Sequence, residues 1–296
     1  RDAVYASFGT YNGDDLELVV NSSGTHFTLW SPEAQAAKVF LYPTDRNSAA
    51  VDSLQMIRGE KGTWRVSVPE QLYGMFYTFR IKYDGKWLSE TPGVWAKALG
   101  TNGERAAIID LATTDPEGWE SDKGPAIKSI NDAVLYEMHH RDFSVHPTSG
   151  IVNKGKFLAL TEEGTRSPYG DKTGIDHLKE LGVTHVHILP SYDFNSVDET
   201  QLPSNQYNWG YDPDNYNVPE GSYAVSPYDG AVRIQEMKQM VLALHSRGIG
   251  VIMDVVFNHT YRRDDSNLQK IVPGYYYRSD ETGYTNGSGC GNEVAS

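Results

Sequence analysis

The sequence predicts a multidomain chain: a small antiparallel β-sandwich followed by a β/α part built on a parallel sheet. Short runs rich in β-branched and aromatic residues crowd the first 110 or so positions, with no convincing helix between them. After a polar stretch containing Pro and Gly, apolar strands begin to alternate with helix-period segments. The last of these strands is apolar on both faces for most of its length, as in a parallel sheet covered by helices.

In the first part, "THFTLW" and "AKVFLY" read as strands. In "MFYTFRIKYDGKW", Met75, Tyr77, Phe79, Ile81 and Tyr83 fall on one face and Thr78, Arg80 and Lys82 on the other. Asp84-Gly85 then signals a hairpin turn. The segment from Ala112 to Pro125 reads as a linker. Beyond it, 133–139 and 183–190 are strand candidates, and 173–182 is a short helix stopped by Gly182. A longer helix carries an apolar stripe at Ile234, Met237, Val241 and Leu244 and ends at Gly248. A third strand is expected over 249–259.

Composition narrows the function. The net charge is −13, from 39 acidic against 26 basic residues, so the chain has no electrostatic reason to seek nucleic acid or an anionic membrane. No apolar run approaches a membrane span, and no signal peptide is visible at Arg1. Cys290 is the only cysteine, which excludes an intrachain disulfide and leaves the compartment open between bacterial cytoplasm and secretion or the cell surface. Aromatics reach 11%, including 19 Tyr and 6 Trp. That suits a sugar-binding surface, where a ring covers the C–H face of a pyranose, and equally a well-packed β domain.

Two stretches concentrate chemistry. In "DVVFNHT", alternation puts Asp254, Val256 and Asn258 on one face, with Asn258 and His259 at the strand's C-terminal end, where parallel β/α folds bind ligands. An acid in so apolar a strand needs a partner. "YNWGYDP", residues 207–213, packs three aromatics into a turn-rich segment of a connection of about forty residues, far longer than the usual handful. The residues alone leave Tyr207 and Trp209 open between substrate contact and loop packing. Gly210 and Pro213 read as turn residues.

These stretches carry a resemblance. "DVVFNHT" resembles the first conserved motif of the α-amylase superfamily of glycoside hydrolases, and "YNWGYDP" resembles the hallmark of type I pullulanases. "LYEMHHRDFS" and "VTHVHILPSYDF" are similar to the first two barrel strands of that group. "FTLWSPEAQAAKVFLY" resembles the carbohydrate-binding module that precedes the barrel. The resemblance implies an immunoglobulin-like sandwich over 1–111, a linker over 112–130 and, over 131–296, the first three β/α units of a TIM (β/α)8 barrel. It implies retaining cleavage of α-1,6-glucosidic bonds in pullulan, amylopectin and glycogen-derived limit dextrins. Tyr211 is then the ring that stacks on the sugar whose bond is cut, Asp212 helps to hold that sugar or its charged neighbours, and His259 bonds its 6-hydroxyl. Asp254 orients an arginine of a later motif, and Asn258 supports this corner. No cofactor is required; calcium is an optional ligand, and no metal ligands are assigned.

Retaining glycosidases need two carboxyl groups about 5–5.5 Å apart. By the resemblance, both lie in motifs beyond Ser296, so no acid of this chain is named catalytic. The chain alone is expected to be inactive, with the C-terminal remainder of the enzyme as a covalent or nicked partner. Isoamylase-like debranching and glycogen branching are close alternatives, and a non-catalytic α-glucan-binding protein is one of another class. A metal-dependent hydrolase using His185 and His187, with His139 and Asp254, is disfavoured because His185 falls near the start of its strand.

Overall fold

The computed structural model describes residues 2–202 and 206–295, which divide into two units. One comprises 1–110, 212–218 and 257–296; the other comprises 111–211 and 219–256.

The first unit opens with one helical turn, α1 (Asp2–Ala6), which the sequence reading had not expected. Tyr5 explains it: the ring is buried in the core and its hydroxyl donates to Glu33 at 2.7 Å, so one turn is anchored by a single side chain. Then follow β1 (Glu17–Asn21), β2 (Gly24–Trp30), β3 (Ala36–Tyr42), β4 (Asp52–Gln55), β5 (Ile57–Arg58), β6 (Thr63–Val68), β7 (Phe76–Tyr83), β8 (Lys86–Trp87) and β9 (Ala106–Ala107). They form two antiparallel sheets, ordered β1-β2-β6-β5 and β4-β3-β7-β8, with β9 on β7. The alternation on β7 holds. Tyr77, Phe79 and Ile81 are fully buried, and Phe27 of β2 meets Tyr77 edge-on at 5.2 Å across the two sheets. Asp84 and Gly85 both take positive φ (48° and 73°), as a two-residue hairpin turn requires.

The second unit is built on three strands. β10 (Leu135–Met138) is followed by α2 (Gly174–Glu180), β11 (His185–Ile188) and the short β12 (Tyr192–Phe194). After β13 (Pro213–Pro219), most of which belongs to the first unit, come α3 (Gly230–Ser246) and β14 (Gly250–Met253). β10, β11 and β14 form a parallel sheet in that order. One face, with Met138, Val186 and Ile188, packs under α2 and α3 against Leu178, Met240 and Leu244. On α3 the predicted stripe is displaced slightly: Ile234, Met240 and Leu244 are buried, while Met237 and Val241 are partly buried beside them. The segment read as a linker runs along α3, where Lys238 pairs with Asp115, and His245 Nδ1 lies 2.6 Å from Asp122.

The third strand is shorter than the sequence suggests. β14 ends at Met253, and only the Asp254 amide continues the pattern, donating to Ile188 O at 3.0 Å. Among the described residues no strand pairs with its outer edge. Met253 is 45% exposed and Val255 46%, so the end of the apolar run, from Met253 onward, marks positions without neighbours to cover them. Asp254 sits just past the strand, part-exposed, rather than inside it.

Candidate functional site: the carboxyl ends of the parallel strands

Gly210 shapes the aromatic connection. Its φ of +88° suits glycine, and a Cβ there would overlap the carbonyl oxygen of Pro190. The Gly210 amide donates to Asn208 Oδ1 at 2.8 Å, closing the turn. Asn208 O in turn accepts from His139 Nε2 at 2.7 Å, while His139 Nδ1 accepts the Asp142 amide at 3.2 Å. The two bonds fix the Nε2–H tautomer of His139. Tyr207 lies against that imidazole, ring centroids 4.9 Å apart. Trp209 is exposed.

The turn delivers Tyr211 to the end of β14. Its hydroxyl donates to Asp254 Oδ2 at 2.7 Å, and the same carboxylate oxygen lies 3.6 Å from His187 Nε2. Partial burial, the bond to Asp254 and the charges of Asp254 and Glu137 push the Tyr211 phenol up to about 12. The ring is thus held by its hydroxyl, and Asp254 has a partner within the chain that sequence reasoning did not foresee. Glu137 was also missed; it pairs with His187 in the sheet register, on the face opposite the helices.

Asp212, Asn258 and His259 belong to the first unit. His259 is buried there, with Nδ1 3.0 Å from Asn258 Oδ1 and its carbonyl accepting from Tyr216 Oη at 2.6 Å. The Asn258 carbonyl accepts the Val294 amide at 3.0 Å. Asn292 fixes the next residue, accepting the Thr260 amide at 3.0 Å and donating to its carbonyl at 2.7 Å.

The H-x-H pair does not form a metal set. His185 Nδ1 lies 3.0 Å from Thr184 Oγ1, while His187 and His139 have the separate partners given above. Among the described residues the one group with metal-ligand spacing is Asp193, Glu199 and Glu220, all buried, with acceptor atoms within 4.8 Å of one another. Their spacing matches no motif, which is why sequence reading passed over them. Arg233 fills this cage: its guanidinium is 3.3 Å from Asp193 Oδ1 and 3.1 Å from Glu199 Oε2, and it also donates to the carbonyls of Pro219 and Pro227. Gly221 leaves room for it, since a Cβ there would overlap both Glu199 and Arg233. Burial, and then the charge of Glu199, push the Glu220 carboxyl up, while its oxygens accept the amides of Phe194 and Ser222. Calcium needs six to eight oxygens at about 2.3–2.6 Å; with the guanidinium among these acids, the cage does not fit the ion.

Comparison with known proteins places these features. Residues 142–271 match the family described as alpha amylase, catalytic domain, and residues 10–97 match carbohydrate-binding module 48, the isoamylase N-terminal domain. A pullulanase of Bacillus subtilis is 43% identical over 100% of this chain and 40% of that protein. The chloroplastic pullulanase 1 of Arabidopsis thaliana is 33% identical over 96% of the chain and 34% of that protein. The crystal structure of a pullulanase from Paenibacillus barengoltzii, in complex with maltohexaose and alpha-cyclodextrin, superposes with a TM-score of 0.96 at 50% identity, covering 99% of this chain and 46% of that one. The chain therefore spans less than half the length of these relatives. The sandwich, the parallel β/α unit and both sugar-enzyme motifs converge with these matches, and along its whole length the chain is similar to pullulanases of the α-amylase superfamily.

Proposed function

We propose that this chain supplies the sugar-holding face of a retaining glycoside hydrolase that cleaves α-1,6-glucosidic bonds in pullulan, amylopectin and limit dextrins. The observation that carries the reading is the hydrogen bond from Tyr211 to Asp254. It joins the two motifs, YNWGYDP and DVVFNHT, and locks the tilt of a ring at the carboxyl end of the sheet. In this reading Tyr211 stacks on the sugar whose bond is cut and Asp212 helps to hold it. His259 bonds its 6-hydroxyl, Asn258 orients that imidazole, and Tyr207 and Trp209 flank the approaching chain.

β10, β11 and β14 are then the first three strands of a (β/α)8 barrel, preceded by a sandwich over 1–111 and a linker over 112–130. The open edges of the three-stranded sheet support a partner that supplies the remaining strands, covalently joined or nicked. Two-carboxylate glycosidase chemistry needs no cofactor. Asp254 is committed to Tyr211 and His187, which fits a supporting role; the nucleophile and acid come from the partner segment.

The test uses the whole enzyme. Pullulan should be hydrolysed to maltotriose, and His259→Ala and Tyr211→Phe should each lower turnover by about tenfold or more. Glucan transfer without net hydrolysis would move the reading to a branching enzyme. Near-normal turnover of both variants would mean that these residues do not hold the reacting sugar.

A further inference from the structure

The second unit holds a cleft of about 250 Å3 whose lining runs against the charge of the chain. The net charge is −13, yet Arg141, Lys154 and Lys156 all line this cleft, and no Asp or Glu does among the described residues. Like charges gathered in one concavity focus a positive potential that an anion relieves. The rest of the wall is mixed: Phe194 and Leu202 are apolar, while Gln206 and Asn208 are amides.

One turn gathers the three cations. Gly155, between the two lysines, takes a φ of +72°, and a Cβ there would press on Arg141 Cγ at 3.2 Å. Its amide donates to the buried Ser144 Oγ at 2.7 Å, which fixes the turn. Lys156 Nζ donates to the Ser222 carbonyl at 2.8 Å, and Lys154 Nζ donates to that of Ile151. An ammonium has three protons, so each lysine keeps donors for a further acceptor. Arg141 pairs with Asp142 at 3.0 Å, and Asp142 does not line the cleft. Neither lysine has a carboxylate at ion-pair distance among the described residues. Burial pulls the Lys156 ammonium down from its ordinary value, and the charges of Glu236, Glu220 and Glu199 oppose this without cancelling it. These acids are weak counter-charges: Glu199 is held by Arg233, and burial pushes up both Glu236 and Glu220, the latter to about 8. A dianion matches the two ammonium charges, whereas a single carboxylate leaves one over. The Arg141 fork adds paired donors that suit phosphate oxygens.

We propose that this cleft binds a phosphate dianion, free or as the head of a small metabolite, and that its occupancy braces the turn that presents Tyr211. The cleft lies below the ~300–1,000 Å3 usual for larger ligands, so it suits inorganic phosphate or a body about the size of a phosphorylated monosaccharide. The bracing follows from a shared wall. His139 and Asn208 both line the cleft, and His139 Nε2 donates to the Asn208 carbonyl at 2.7 Å. The Asn208 side chain in turn accepts the Gly210 amide. An anion held between the lysines and Asn208 ties the connection between β10 and α2 to the aromatic turn. The site stands independently of the α-glucan reading.

Calorimetric titration of the chain with inorganic phosphate and with glucose 6-phosphate, in excess sodium chloride, tests the site. Saturable binding with a Kd of about 1 mM or tighter is expected. Lys154 is part-exposed, so Lys154→Gln should spare the fold and weaken binding by about tenfold, while Lys154→Arg, which keeps the charge, should stay within about threefold of native. Arg141→Gln should weaken binding in the same way. Tighter binding of glucose 6-phosphate would assign the site to a phosphorylated metabolite, and equal binding would assign it to free phosphate; both support the proposal. No saturation by either probe at about 20 mM overturns it. Binding that Lys154→Gln and Arg141→Gln both leave unchanged also overturns it and reduces the effect to an adventitious ion only. Hydrogen exchange at the Gly210 amide should slow with phosphate in the native chain and not in Lys154→Gln. Exchange that phosphate leaves unchanged in the native chain would overturn the bracing of the turn.

Discussion

Tyr211 and Arg233 show how differently single residues announce themselves. Tyr211 stands in a motif dense enough to read directly, so its place at the sheet's end was expected. Its bond to Asp254 was not, because the partners are 43 positions apart and nothing local couples them. Arg233 looks in the sequence like one more charge on a helix, yet it is fully buried among Asp193, Glu199 and Glu220, which were equally silent. Replacing it by Met should leave buried acids without their counter-charge. The expected loss is about 3–5 kcal/mol in equilibrium denaturation. Arg233→Lys should recover only part of it, because one ammonium cannot reproduce the forked contacts. A loss below about 1 kcal/mol in Arg233→Met would show that the cage relaxes by taking up protons or water.

At the scale of elements, the hairpin at Asp84–Gly85, the two helices and the three parallel strands were all legible, because each rests on a local period or a turn residue. The end of the third strand was not. A strand's length is set by its neighbours, and the apolar run past Met253 records a packing requirement rather than pairing. Nor was the contact between β1 and the loop carrying Trp95, which Glu17 makes. Burial pushes the Glu17 carboxyl up to about 8, opposed by the amides of Trp95 and Val94. The folded state therefore binds a proton that the unfolded chain releases above its ordinary value of 4.5. This stabilisation is full below that value and is lost as pH rises toward 8. Between pH 5 and 8 the native protein should lose about 3–4 kcal/mol more than Glu17→Gln, which cannot ionise. Parallel pH profiles of melting temperature for the two proteins would show that the carboxyl is not held protonated.

Over the whole molecule, the parallel sheet has two unpaired edges among the described residues, and Leu135, Met253 and Val255 are exposed along it. Open edges with apolar flanks invite association. The isolated chain should bind a hydrophobic dye and associate with rising concentration in sedimentation velocity, and a segment supplying the neighbouring strands should suppress both. A concentration-independent monomer with no dye binding would mean that these edges are already protected. Two separate cores were foreseeable from the change in periodicity along the chain. That 212–218 and 257–296 join the first unit was not, since no local pattern tells which core a returning segment will meet.

The buried arginine also bears on durability. A metal that cross-links a long connection can be leached by a chelator or displaced by a competing ion, and it must be supplied afresh. Arg233 spans the same kind of acidic cage with a charge that is part of the polypeptide, made with the chain and lost only with it. The connection that presents Tyr211 is thus fastened independently of the mineral content of its surroundings.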